Sequence, residues 1–263
     1  MTDANAYQFV LKGPFSVLFL SVGMPRAGSG WHYNLIHDLV VASGGQDARV
    51  VRRKYHLERF LTEVNCNIGA LTTRRLLPVV APALLGNSYV IKAHAGPSAT
   101  ARTLIRRELL RATYIYRDPR DALLSAFEHG ERSRTSGYQN AFARLKTFED
   151  ALKFMEQYLK IWQAWVATPG VLITRYEDLL ADYDAQVARL LAFLKITADQ
   201  PPVQAVLEQY RPEHTRDTGQ RGLHFRQGKV GRYRQVFTPD EVKAADQAFA
   251  PYLERMGYPI YAG

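Results

Sequence analysis

The stretch from Val22 to Trp31, VGMPRAGSGW, follows the apolar run Phe15–Ser21. A buried strand that enters a glycine-rich turn and leaves as a helix gathers its backbone N–H groups at one point, and that point holds an anion. The same arrangement constrains the fold, because a strand of this kind belongs to a parallel sheet with helices on both faces. The rest of the chain fits. Ser16–Val22 reads as the strand and Trp31–Ala42 as its helix. Tyr89–Lys92, Ala112–Tyr116 and Val171–Thr174 read as further strands. Asp118 and Pro119 have the N-cap and first-turn chemistry of a helix running through Phe127. Phe148–Ala167 places Leu152, Met155, Leu159 and Trp162 at helical spacing. Thr238-Pro239-Asp240-Glu241 is a capping box for a last helix to about Met256. The expectation is one α/β domain over residues 1–263, with its core in residues 16–241, a parallel sheet, and the ligand beyond the carboxyl ends of the strands.

Bulk properties narrow the chemistry. The single cysteine, Cys66, excludes an internal disulfide and points to a reducing, cytoplasmic setting. No unbroken run of about 18 apolar residues is present, so no membrane span is expected. Net charge is +9, and residues 47–111 hold most of it, with 12 Lys and Arg against 4 Asp and Glu. Such a stretch is either a solvated basic face or the wall of a cleft that attracts anions. A nucleic-acid binder is the non-enzymatic alternative, but no basic motif interleaved with aromatic residues accompanies the charge.

The turn is not a nucleoside-triphosphate loop. Gly23 and Gly28 have the G-x-x-x-x-G spacing, but Ser29 stands where the lysine belongs and Gly30 where the magnesium-ligating hydroxyl belongs. A kinase or NTPase on a degenerate loop therefore lacks its main phosphate cation and a principal metal ligand. What remains is a cradle for one phosphate, a displaced cation at Arg26, and a flat ring at Trp31 on which a base could stack.

Five segments then share one resemblance. Pro25–Trp31 (PRAGSGW) resembles the P-K-S-G-T-T-W loop of the cytosolic-type sulfotransferases, which use 3′-phosphoadenosine 5′-phosphosulfate (PAPS). Tyr116–Ser125 (YRDPRDALLS) resembles their R-N-x-x-D-x-x-x-S segment, with Arg117 and Ser125 eight apart. Arg175–Leu180 (RYEDLL) resembles their Y-E-D segment. Ile91–Pro97 (IKAHAGP) resembles K-T-H-x-P, and Phe225–Glu241 resembles the closing R-K-G-x-x-G-D-W-K-x-x-F-T. The five stand in the family's order. The sequence departs at Arg26 for the loop lysine, at Ala27 and Gly30 for hydroxyl residues, and at Gln227, Arg232 and Tyr233 in the closing motif.

The resemblance implies a metal-free sulfuryl transfer to a small-molecule acceptor, leaving adenosine 3′,5′-bisphosphate (PAP). It makes His94 the general base, with Lys92 and Arg26 as the cations on the transferring group. Ala27, Gly28, Ser29 and Gly30 would hold the 5′-phosphate, Trp31 would stack on adenine, and Tyr176 would reach the adenine edge. Arg117 and Ser125 would grip the 3′-phosphate, with Arg226, Gln227 and Gly228 closing over it. Glu177 and Asp178 are read as caps of the following helix. An acceptor wall in residues 51–88, within the basic stretch, would favour an anionic acceptor. Acceptor identity and oligomeric state are written in no motif.

Overall fold

The computed structural model describes residues 17–214 and 230–260. Five strands form one sheet: β1 (Leu18–Gly23), β2 (Asn67–Ile68), β3 (Tyr89–Ala93), β4 (Leu110–Tyr116) and β5 (Leu172–Arg175). Their spatial order is β2-β3-β1-β4-β5, and every pair is parallel. The helices are α1 (Ser29–Ala42), α2 (Ala48–Lys54), α3 (Thr73–Leu84), α4 (Ala99–Arg106), α5 (Pro119–Thr135), α6 (Phe148–Val166), α7 (Tyr176–Ala181), α8 (Tyr183–Leu194), α9 (Pro201–Gln209), α10 (Tyr233–Val236) and α11 (Pro239–Met256). None of them is long and apolar enough to cross a membrane.

The central strand, β1, is buried at every position. Its alternate side chains feed two cores, as a strand covered on both faces must. Leu18, Leu20 and Val22 join α3, α6 and α11 on one side, while Phe19 joins Trp31, Leu35 and Leu39 of α1 on the other. After β1 the chain moves to one edge of the sheet, and after β3 it crosses to the other. The carboxyl end of β1 is therefore where the strand order switches, which is where open α/β sheets bind ligands.

The local signals hold where the physics is local. Asp118 accepts from the Arg120 N–H at 2.9 Å and Pro119 opens α5. Thr238 and Glu241 make the reciprocal capping box of α11. Two expectations need correction, and one short strand is additional. Helix α5 continues past Phe127 to Thr135, so a further two turns belong to it. Strand β2, two residues long, carries too little pattern to be read. Glu177 caps nothing downstream: Asp182 caps α8, while the buried Glu177 carboxylate accepts from the Asp118 N–H and the Tyr258 hydroxyl.

Candidate active site

Strand register brings the site together. Val22 pairs with Ala93 and Gly23 with Ile115, so the loop after β1, His94 after β3 and Arg117 after β4 all emerge at one level of the carboxyl edge. They line a cavity of about 900 Å³.

The loop is a strained turn. Arg26 has φ 65 and Gly28 φ 76. The left-handed region costs a non-glycine residue about 1–2 kcal/mol, a strain that recurs at ligand-binding turns. The first helical hydrogen bond runs from the His32 N–H to the Gly28 carbonyl. The first-turn N–H groups of Ser29 and Gly30 therefore have no intrahelical acceptor, and both residues line the cavity. Ala27 does not belong with them. Its side chain is fully buried, its N–H donates to the Met24 carbonyl at 3.2 Å, and it is absent from the cavity wall.

Gly28 is fixed by what stands against it. A Cβ there would lie 2.6 Å from the Tyr176 ring. Gly28→Ala should therefore force both an unfavourable φ and a ring displacement. The expected result is a loss of nucleotide affinity of at least tenfold by calorimetry, with Gly137→Ala as the control, because it shares the left-handed φ, at 67, but its Cβ would meet nothing within 4 Å. Equal affinities in the two variants would contradict this reading of the loop.

Lys92 and His94 lie inside the site. Lys92 is 7% exposed. Burial, and then the Arg26 charge, pulls its pKa from 10.5 to about 8. Burial, and then the Lys92 charge, pulls His94 from 6.5 to about 4. Nδ1 of His94 lies 2.6 Å from the Gly23 carbonyl oxygen. A carbonyl only accepts, so Nδ1 carries the proton and Nε2 keeps its lone pair. Behind Lys92, the buried His32 meets Ser21 at 3.2 Å and is held neutral, its pKa lowered to about 3 by burial and by Lys92.

Another side of the cavity is built from β4, α5 and α7. Arg117 pairs with Asp121 at 3.3 Å, and its guanidinium lies 4.9 Å from the centre of the Tyr176 ring. Asp121, 2% exposed, also accepts from the Gly231 N–H at 2.7 Å and the Tyr233 N–H at 3.1 Å. Its carboxylate thus joins Arg117 to the returning chain, a role visible in the sequence only as the second Asp of YRDPRDALLS. Ser125 accepts a hydrogen bond from Arg26 Nε at 3.1 Å. Those two residues, expected at separate phosphates, are in direct contact. Arg226, Gln227 and Gly228 lie outside the described residues.

Two rings of the cavity wall are also tied into the core. The Trp31 ring is 1% exposed, stacks on Tyr183 at 6.3 Å and donates its N–H to the Tyr210 carbonyl. It is chiefly a core ring, and it also contributes to the cavity wall. Tyr176, 4% exposed, packs between Gly28 and Arg117 and so ties the loop to the arginine.

The remaining cavity wall also departs from expectation. Of residues 51–88 only Asn65 lines the cavity, and of the 12 basic residues in 47–111 only Lys92 does. The wall comes instead from α5, with Glu128, Glu131, Arg132 and Thr135 at helical spacing, and from Phe142, Phe154 and Tyr158. Glu128 pairs with Arg232. The basic stretch, Lys92 apart, faces away from the cavity and gives it no preference for an anionic acceptor. The missed signal was the length of α5: the i, i+3, i+4, i+7 positions from Glu128 to Thr135 share one face.

The sulfotransferase domain family model matches residues 19–257. Sulfotransferase 6B1 of Danio rerio is 20% identical over 260 residues, covering 91% of this chain and 81% of that protein. Sulfotransferase 4A1 of Mus musculus is 22% identical over 151 residues, 56% of this chain and 52% of its own length. Retinol dehydratase in complex with androsterone and inactive cofactor PAP superposes with a TM-score of 0.59 at 19% identity, over 91% of this chain and 81% of that one. Mouse sulfotransferase SULT7A1 complexed with PAP gives 0.59 at 16% identity, over 91% and 85%. At these identities the superpositions establish a shared fold.

Proposed function

Because this chain belongs to the sulfotransferase domain family, we propose that it transfers a sulfuryl group from PAPS to a hydroxyl or amine of a small-molecule acceptor, with His94 as the general base. The observation that carries this reading is the pairing of a neutral His94, its Nδ1 committed to the Gly23 carbonyl, with the Lys92 ammonium two residues away.

The residues present suit the nucleotide. The Gly28 cradle has no room for a side chain, and Ser29, Lys92, Arg117 and Ser125 offer donors or positive charge around one cavity. When bound, PAPS supplies the sulfuryl group and a nucleotide leaving group. The chain does the rest. Ser29, Arg26 and the first turn of α1 hold the 5′-phosphate. Arg117 and Ser125 hold the 3′-phosphate. His94 Nε2 takes the acceptor proton, and Lys92 stabilises charge that develops on the oxygens in transit. The transferred group carries less negative charge than a phosphoryl group, so fixed cations and donors can take the place of a metal. Phe142, Phe154 and Tyr158 suit an acceptor with an apolar body. The lone Cys66, buried, fits a reducing cytoplasm.

The pH profile follows from the two shifts. His94 acts as a base only above its lowered pKa, and Lys92 is cationic only below its own. In the free enzyme kcat/KM should rise through about pH 4, stay level, and fall through about pH 8. An acid limb near 6.5 would mean that solvent reaching the half-buried imidazole cancels the shift.

The proposal is tested at Arg117. Losing one charge-assisted contact costs about 1.5–3 kcal/mol, or roughly tenfold to a hundredfold in affinity. Calorimetry should show wild-type protein preferring PAP over AMP, and Arg117→Ala losing most of that preference. An intact preference would remove Arg117 from the 3′-phosphate.

A further inference from the structure

The transfer chemistry leaves the basic stretch of residues 47–111 almost unused, since only Lys92 of its cations reaches the cavity. Much of the remainder surrounds helix α3. The inner side of that helix, Leu76, Val79, Val80 and Ala83, is buried in the core. Its outer side reads Arg74, Leu77, Pro78, Ala81 and Leu84, ending at Leu85. At about 100° per residue these positions occupy roughly a third of the circumference. Beyond Arg74 that strip carries no polar side chain. Leu77 is 54% exposed, Leu84 60% and Leu85 70%. A helix on a globular surface ordinarily turns polar side chains to water along such a strip.

Cations stand at both ends. Arg59, Arg74 and Arg75 line a shallow cleft with Phe60 and Thr72 at the start of α3. Past its end, Asn87 donates to the Tyr55 hydroxyl at 2.9 Å, and Lys54 lies over that tyrosine's ring at 5.4 Å. Between Ala48 and Tyr89 the acidic residues are Glu58 and Glu63. Arg49 and Arg52 spend their Nε donors on the Val64 and Leu61 carbonyls. Arg53, Lys54, Arg59, Arg74 and Arg75 are the exposed cations of this face.

An apolar helical strip bracketed by long cationic side chains has the chemistry of a bilayer interface. The leucines meet acyl chains, while the cations reach headgroup phosphates. We propose that the α2–α3 face seats this protein on an anionic lipid bilayer. Charge complementarity selects that occupant. A second copy of the chain would set this cationic face against itself in a two-fold contact. A nucleic acid would use the cations and leave the three leucines in water.

The test is co-sedimentation of the full chain with phosphatidylcholine vesicles, with and without phosphatidylserine. Binding should require phosphatidylserine and weaken as salt rises from about 0.1 to 1 M. Arg74→Ala with Arg75→Ala should weaken it roughly thirtyfold, taking about 1 kcal/mol per cation near the surface. Leu77→Ser with Leu84→Ser and Leu85→Ser should weaken it at least tenfold while every cation remains. Lys153→Ala with Lys160→Ala removes the same charge from α6 and should leave binding nearly unchanged. All of these side chains are exposed, so the variants should fold, which circular dichroism checks. Absence of binding to anionic vesicles, indifference to the leucine substitutions, or equal losses from the two charge pairs would each overturn the proposal. So would a concentration-dependent dimer that the leucine variant abolishes, because the face would then belong to a second copy.

Discussion

Replacing His94 with alanine will lower turnover by about 10²–10⁴ and leave PAP binding within a few-fold of wild type. The size follows from the role. A positioned base contributes roughly that factor by removing the acceptor proton as the oxygen attacks. The retained binding follows from the geometry, because His94 is anchored to the Gly23 carbonyl and the proposed phosphate contacts lie on other side chains. The same hydrogen bond argues against a purely architectural role. His94→Asn, which can still donate to Gly23, should be as inactive as alanine, because it lacks a lone pair of comparable basicity at the Nε2 position. Steady-state kinetics beside a calorimetric titration of each variant separate the two effects. Turnover near wild type in either variant would transfer the base to another residue.

Arg120 should carry the largest single stability effect. Its guanidinium is fully buried, pairs with Asp118 at 2.8 Å and Asp246 at 2.6 Å, and donates to the Pro259 carbonyl at 3.0 Å. It also lies 4.7 Å from the centre of the Tyr233 ring. Three distant parts of the chain thus meet at one side chain: the start of α5, the middle of α11 and the segment after it. Removing it leaves two carboxylates buried without their counter-ion. Breaking one side of a buried ion pair costs about 3–5 kcal/mol, so Arg120→Met should lower the urea midpoint accordingly. The exposed Lys153–Glu149 pair is the contrast, and Lys153→Ala should cost no more than about 1 kcal/mol. A loss at Arg120 as small as that would mean that the two acids relax to solvent or take up protons.

What could be read before the fold was known follows from the range of each interaction. The strand–loop–helix, the Asp118 cap and the Thr238 capping box depend on residues within a few positions of one another, and each is present. Lys92 and His94 were legible through the resemblance of IKAHAGP to K-T-H-x-P, a local motif at the end of one strand. The core contacts of Trp31 were not legible because its partners, Tyr183 and Tyr210, lie more than 150 positions away in sequence. The basic stretch stayed ambiguous between solvated face and cleft wall for a related reason. Composition records how many cations a segment has and not which way they face, and α3 turns its own outward. The α5 part of the cavity wall was not legible because the helical pattern stops being clear at Phe127. Asp121 was passed over because its weight comes from the Gly231 and Tyr233 N–H groups, 110 and 112 positions downstream.

The central claim is that this cavity holds a nucleotide with a 3′-phosphate and uses it for transfer without a triphosphate or a metal. The most direct measurement is a thermal-shift series on the wild-type chain in metal-free buffer, with PAP, AMP, and ATP plus magnesium each at matched concentration. A ligand present at a hundred times its dissociation constant stabilises the folded state by about 2.7 kcal/mol, enough to raise the melting temperature by several degrees. PAP should give a shift of that size, AMP much less, and ATP with magnesium no more than AMP. A larger response to ATP with magnesium than to PAP would contradict the account.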